Sequence, residues 1–224
     1  MYFHTKRDSS YIEISQMKVL MINGSPHVTG NTYEALKHMA DTFLEEGIDA
    51  DIVHIGTDPI QGCIGCLNCL QSGTCAYNDP LFKLLEAKAK ECDALVVGSP
   101  VYYAGPTGSL CAILDRLFCA AGRHLSFKPA ASVSVCSRSG SSAAFDRLNK
   151  YFTMNNMPVV SSHNWNSAIG SLPGEVTTDR EGMEVLRALA RNMAWLMRKI
   201  KASDEENPKN EEPESANLIR WFIS

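Results

Sequence analysis

Short apolar runs alternate with amphipathic stretches along most of this chain, and this alternation restricts the possible folds more than any other feature. Residues 19–22 form a continuous apolar run, typical of a strand covered on both faces. Apolar residues then recur every three or four positions from Ala35 to Leu44, which predicts a helix that ends at Gly47. Similar apolar runs predict further strands at 50–55, 94–97, 132–136 and 159–162.

Helical patterns separate these predicted strands. Asp79-Pro80 is typical of a helix start, and further helices are predicted near 110–118, 143–155 and 183–200. Strand and helix alternating five times implies an α/β three-layer sandwich with a five-stranded parallel sheet. Ligands of such sheets bind at the carboxyl ends of the strands, so we expect a site in the loops after the first, third and fourth strands.

Composition and charge restrict where the protein is expected to be located and what it is expected to bind. The chain has 224 residues, a net charge of -4 and 45% hydrophobic residues. We predict one domain at 17–202, an N-terminal extension at 1–16, and an acidic linker with an apolar tail at 203–224. The negative charge argues against nucleic acid as a partner. Segment 1–16 lacks the apolar run of a signal peptide, and no run is long enough to span a membrane, so we expect a cytoplasmic protein without a membrane partner.

The loop 24–32 joins the first predicted strand to the first helix. Its serine and threonine hydroxyls and the N–H groups at the helix start can bind an anion, which the helix dipole favours. The loop lacks both the Walker pattern and the dinucleotide-binding glycine pattern. A plain turn with Asn31 or Thr32 as N-cap is the alternative. From these residues alone we predict an anion held at the helix start.

Three loops together resemble one known family. Gly24-Ser25-Pro26 followed by Gly30-Asn31-Thr32 resembles the phosphate loop of the NAD(P)H-dependent FMN reductase branch of flavodoxin-like proteins. The similarity continues at 99–103 and 137–141 and covers roughly residues 17–200. It implies a flavodoxin-like fold with bound FMN. The residues that it assigns to FMN are Ser25, His27, Gly30, Asn31, Thr32, Pro100, Val101, Tyr102, Tyr103, Ser137, Arg138 and Gly140.

The residue types in these loops suit a flavin. Tyr102 and Tyr103 offer flat surfaces for the ring, and Gly140 allows close approach of the backbone. We assign no catalytic side chain, because the flavin performs the chemistry. The resemblance also implies NADH or NADPH as electron donor and a homodimer or homotetramer.

Four cysteines lie within thirteen residues, as Cys63-x2-Cys66-x2-Cys69-x5-Cys75. In a reducing compartment such spacing favours metal binding or redox chemistry. Zinc, an iron–sulfur cluster, or free thiols able to form a disulfide all remain open on the residues alone. The spacing resembles the compact motif of iron–sulfur flavoproteins, members of the same flavin family, and this resemblance implies a [4Fe–4S] cluster near FMN. We predict that the dispersed cysteines are small buried hydrophobes: Cys92, Cys111, Cys119 and Cys136.

The leading functional prediction is an FMN-dependent oxidoreductase. It would pass electrons from NAD(P)H or a small carrier to a small-molecule or protein acceptor, with a [4Fe–4S] cluster as a second redox centre. A flavodoxin-like electron carrier and a cysteine-based redox sensor are the alternatives.

Overall fold

The computed structural model describes residues 17–203. The predicted extension at 1–16 and the predicted tail beyond residue 203 lie outside the described residues.

Five strands form one parallel sheet in the order β2-β1-β3-β4-β5. The strands are β1 (Lys18–Asn23), β2 (Asp49–His54), β3 (Ala94–Pro100), β4 (Ala130–Cys136) and β5 (Ser167–Ile169). In register, Leu20 of β1 lies between Asp51 of β2 and Leu95 of β3. The predicted α/β three-layer class is confirmed.

Between residues 17 and 203, six α-helices join or follow the strands: α1 (Asn31–Glu45), α2 (Asn68–Ser72), α3 (Pro80–Glu91), α4 (Gly108–Ala121), α5 (Ser141–Met154) and α6 (Arg180–Ala202). The predicted start of α3 is confirmed. The Asp79 carboxylate accepts a hydrogen bond from the Phe82 N–H at 2.9 Å, and Pro80 occupies the first turn, where a missing N–H costs nothing.

Alternate residues of each strand enter different cores. Val19 and Met21 pack under α1 and α6, whereas Leu20 and Ile22 pack against α3 and α4 on the opposite face. This period of two, in strands buried on both sides, explains why β1 has no polar face.

The fifth strand is not where the sequence predicted it. We predicted a strand at 159–162, but Val159 makes only an isolated bridge to Ala130, and β5 is Ser167–Ile169. Val159 and Val160 pair only with Ala130 at the start of β4, and the chain then leaves the sheet. Asn166 returns it to the sheet by accepting a hydrogen bond from Ser134 N.

The sheet order reverses between β1 and β3, since the chain moves outward to β2 and then returns past β1. The loops after these two strands therefore separate and leave a crevice at the carboxyl edge. Within residues 17–203 no helix is long and apolar enough to cross a membrane.

Candidate functional site

The loop 24–32 is bonded directly to the neighbouring strand. The Gly24 N–H donates to Gly98 O, and Gly24 O accepts from Thr107 Oγ1, both at 2.8 Å. A Cβ atom on Gly24 would lie 2.5 Å from Leu110 Cδ2. Only glycine fits here, so the loop starts from a backbone position set by β3 and α4.

The rest of this loop presents donors to an anion. The Ser25 N–H donates to Asn23 Oδ1 at 3.0 Å, and the His27 N–H donates to Ser25 Oγ at 3.1 Å. Gly30 precedes α1, and within the described chain no side chain caps that helix, so its first N–H groups are available to an anion. Asn23 Nδ2 is buried and has no hydrogen-bond partner among residues 17–203, which leaves a donor beneath the loop. These features fit a phosphate group.

Thr32 and Asn31 were both predicted to bind the phosphate, and the structure shows the surroundings of each. Thr32 is buried in the first turn of α1. The Asn31 carboxamide donates to Leu172 O at 2.9 Å and accepts from Val176 N at 3.3 Å. Its side chain therefore joins the loop to the segment after β5, and the Asn31 backbone N–H is the group left to face an anion.

The chain after β3 forms a tight hairpin turn. Tyr102 and Gly105 exchange backbone hydrogen bonds at 2.8 and 3.0 Å. Tyr103 and Ala104 between them have φ values of 49° and 60°, a left-handed conformation that costs non-glycine residues free energy. Tyr102 is half-exposed and Tyr103 is fully exposed, so this turn presents flat aromatic surfaces to a ligand or a partner.

The loop after β4 touches that turn. A Cβ atom on Gly140 would lie 3.1 Å from Ala104 Cα and 3.2 Å from Val101 Cγ1, and Gly140 itself has a φ of 87°. Ser137 and Arg138 are exposed beside it. We call the three segments 24–32, 99–105 and 137–140 the carboxyl edge, because they follow β1, β3 and β4 at the carboxyl ends of these strands; the twelve residues predicted to bind FMN lie on these three segments.

The four clustered cysteines lie in a long loop between β2 and α3, which we call the cysteine loop (residues 61–79). Their sulfur-bearing side chains line one pocket. Cys63 and Cys66 are exposed, whereas Cys69 and Cys75 are half-buried, and burial raises the pKa of the Cys69 thiol.

Besides Ala120, two further residues of this pocket, Arg116 and Cys119, come from α4, and the sequence predictions missed both. Cys119 was predicted to be buried, but it is exposed and lies within hydrogen-bond reach of Cys63. Part of the residue is exposed, but its sulfur is packed against the pocket, and this desolvation, followed by repulsion from the neighbouring thiols, raises the pKa of Cys119 to about 12. Cys111 is half-buried, and the prediction of burial is confirmed for Cys92 and Cys136. The second residue is Arg116, which lies on the apolar face of α4. Its guanidinium is fully buried, although arginine is normally a surface residue. An arginine inside an apolar stripe was the available signal for it.

The pocket fits an iron–sulfur cluster in its chemistry. Five thiols and a buried guanidinium line it, and thiolates are the usual ligands of such clusters. Within residues 17–203 no three His, Cys, Asp or Glu side chains stand close enough together to hold a metal ion as they are placed. To bind one metal centre, the thiols would have to turn inward. Cys63 and Cys66 have room to change rotamer because they are at the surface.

Sheet order and site position together define a flavodoxin-like protein. Structures of this kind share the fold: RosB with bound 8-demethyl-8-formylriboflavin-5'-phosphate has a TM-score of 0.69 at 19% identity, over 93% of this chain and 88% of RosB. A flavodoxin from the domain Archaea has a TM-score of 0.56 at 14% identity, over 81% of this chain and 99% of the flavodoxin.

The sequence is more informative about the family. Residues 17–171 match the NADPH-dependent FMN reductase family, and the chain belongs to it. An iron–sulfur flavoprotein of Methanocaldococcus jannaschii is 31% identical over 193 residues, which cover 83% of this chain and 100% of that protein. The resemblance stated from the sequence is confirmed, and the chain is an FMN flavoprotein of the oxidoreductase class.

Proposed function

We propose that this chain takes electrons from NADH, NADPH or a small carrier, passes them to a small acceptor, and holds a [4Fe–4S] cluster in addition to FMN. The observation that supports the flavin part most is the carboxyl edge, where three loops meet at the reversal of sheet order above an uncapped first turn of α1. When bound, FMN supplies hydride acceptance and the cluster supplies one-electron exchange.

The chain's own residues bind and orient the flavin in this proposal. Backbone N–H groups at the start of α1 and the hydroxyls of Ser25 and Thr32 hold the phosphate. The Tyr102–Tyr103 turn supplies apolar contact for the ring, and its hairpin is closed by the left-handed backbone of Tyr103 and Ala104. Arg138 is the exposed cation of this edge, placed to offset negative charge on the flavin.

The cysteine loop supports the second redox group. Its four thiols line one pocket, and the relative that aligns over its whole length is named an iron–sulfur flavoprotein. We propose that Cys63, Cys66, Cys69 and Cys75 are the cluster ligands.

Stopped-flow mixing with NADPH and NADH tests the nicotinamide part. We expect the absorbance of the oxidised flavin, at roughly 450 nm, to bleach with at least one of the two, because a reductase site admits a hydride donor beside the ring. Bleaching only with a reduced small carrier would instead identify a flavodoxin-like electron carrier.

Alanine variants of the four loop cysteines test the ligand assignment. Iron and sulfide content should fall in each variant while FMN content stays constant, since the carboxyl edge is built by other residues. Cys111→Ala is the matched control, because Cys111 is a half-buried cysteine outside the loop. Iron and sulfide unchanged in the four variants would refute the assignment.

We also propose that copies of this chain associate through the carboxyl edge. Tyr103 lies on this edge, and Trp165 and Leu172 lie on either side of β5; all three are large side chains exposed to solvent. Light scattering should report a dimer or tetramer, and replacing Tyr103 and Trp165 with serine should shift it toward the monomer. A wild-type monomer at micromolar concentration would exclude this proposal.

A further inference from the structure

Arg116 is a buried cation that the flavin site does not use. It lies on α4 with its guanidinium fully shielded from water. A buried guanidinium is costly unless its N–H groups find acceptors, so its partners show what its position serves.

Among the residues that the structure describes, every polar partner of Arg116 belongs to the cysteine loop. Nη1 donates to Gln61 O at 3.2 Å, before the first cysteine. Nη2 donates to Tyr77 O and to Asp79 Oδ2, after the last cysteine. One side chain therefore joins the two ends of the loop, and the short helix α2 and all four cysteines lie between the joined ends.

The same side chain also reaches a cysteine itself. Arg116 Nε donates to Cys75 Sγ at 3.5 Å. The guanidinium carbon lies 4.8 Å from the Phe82 ring centroid and 6.0 Å from the Tyr77 ring centroid, and these aromatic faces hold the charge in place. A positive charge is thus fixed beside one thiol of the pocket.

We propose that Arg116 is the positioning residue of the cysteine loop: it closes the loop at both ends and donates to Cys75, and so sets the retention and the reduction potential of the cluster. This inference rests on the proposed function. Cluster potentials depend on net charge and on hydrogen bonds to the sulfurs, and a fixed cation that donates to a ligand sulfur favours the reduced, more negative state.

The test compares anaerobically purified holoprotein with Arg116→Gln and Arg116→Lys. Glutamine keeps a donor without the charge, and lysine keeps the charge without the planar fork. Arg147→Gln is the matched control, since Arg147 is a partly exposed arginine on α5 that contacts Tyr151 and Asp115 and none of the loop cysteines. The readouts are iron, sulfide and FMN per chain, and the cluster potential from a redox titration followed by electron paramagnetic resonance.

We expect Arg116→Gln to keep FMN, to lose part of its iron and sulfide, and to show a more negative potential in the clusters that remain. Arg116→Lys should lie between this variant and the wild type in potential, and Arg147→Gln should match the wild type. Arg116→Gln with wild-type iron content and potential would overturn the proposal. Loss of FMN and iron together in both Arg116 variants would also overturn it, because Arg116 would then support the whole fold.

A wild-type protein purified without iron and sulfide would refute the proposed cluster and not the role of Arg116 in the loop. Hydrogen exchange on that metal-free protein separates the two. Arg116→Gln should then speed amide exchange across residues 61–79 and leave β1 and β3 unchanged. Unchanged exchange in 61–79 would overturn the positioning role.

Discussion

The carboxyl edge and the cysteine loop are held in place by different means. At the carboxyl edge, backbone groups of successive loops bond to one another and to the strands, as Gly24 does to Gly98 and Val101 to Val135. The cysteine loop has few backbone bonds to the sheet, and its ends are joined by one side chain, Arg116. The first region is shaped by the sheet, whereas the second is held by side chains of neighbouring helices, by Arg116 at its two ends and by Glu86 at Thr74.

This difference indicates that the two regions are separable. A change at the carboxyl edge should disturb strands and flavin together, because the same backbone builds both. A change in the cysteine loop should alter its own pocket and leave the sheet intact.

Gly24→Val carries the largest expected effect. Its Cβ would overlap Leu110 and approach Gly98 O, so overpacking should lower the free energy of unfolding by about 2 kcal/mol and weaken FMN binding. Denaturant unfolding and FMN fluorescence titration measure the two effects. Gly108→Ala is the control, because a Cβ there meets nothing within 4 Å. Equal free energies of unfolding and equal FMN affinities in the two variants would contradict the close packing at Gly24.

Changes at Asn31 should separate stability from flavin affinity. Asn31→Ala removes both hydrogen bonds to the segment after β5 and should destabilise the protein by about 1 kcal/mol. Asn31→Asp retains the acceptor for Val176 N but places a negative charge at the predicted phosphate site, so FMN affinity should fall about tenfold, or about 1.4 kcal/mol. Comparable FMN affinity in the two variants would indicate that no phosphate lies nearby.

Ala104→Gly should stabilise the protein by about 0.5 kcal/mol, since its φ of 60° suits glycine. Ala112→Gly, inside α4, should instead destabilise it by about 1 kcal/mol. Thermal unfolding of both variants measures the opposite signs. A loss of stability in Ala104→Gly would mean that the turn carries no strain.

Acid should weaken the anchor of the cysteine loop. Partial burial alone would raise the pKa of Asp79, but the hydrogen bond from the Phe82 N–H and the pairing with Arg116 outweigh it, so the net pKa is lowered. A carboxylate with a lowered folded pKa contributes stability above its unfolded pKa and loses it as pH falls through the folded pKa, here below about pH 4. The contribution should stay under about 1 kcal/mol, because the carboxylate is partly exposed.

Two variants separate the charge of Asp79 from its cap. Asp79→Asn should show a smaller stability loss between about pH 5 and pH 2 than the wild type, since that side chain no longer titrates. Asp79→Ala should lose a further amount of about 1 kcal/mol at neutral pH, because the helix cap is gone. Denaturant unfolding across this pH range measures both. If wild type and Asp79→Asn lost the same stability at acid pH, Asp79 would not be the group whose protonation weakens the anchor.

The sequence predicted the fold well because its signals are local. Strand runs such as 19–22 and the Asp79-Pro80 helix start can be recognised without knowing their neighbours. The fifth strand failed because Val159-Val160 is as apolar as a strand, and only the tertiary course shows that β5 starts at Ser167.

The anchor of the cysteine loop was beyond sequence reasoning for a different reason. Arg116 follows Cys75 by 41 positions, and nothing in the loop indicates which helix will face it. Cys119 was misassigned on the same grounds, since apolar neighbours in sequence predict burial and the packing of α4 leaves it beside Cys63.

The central claim is that one chain carries two separable redox sites, and cofactor analysis of anaerobically purified protein tests it most directly. Wild type should contain about four iron atoms, about four sulfides and about one FMN per chain, as one [4Fe–4S] cluster and one flavin require. The variant with alanine at Cys63, Cys66, Cys69 and Cys75 should lose iron and sulfide and keep about one FMN. Wild type without iron, or FMN lost together with iron in that variant, would contradict the account.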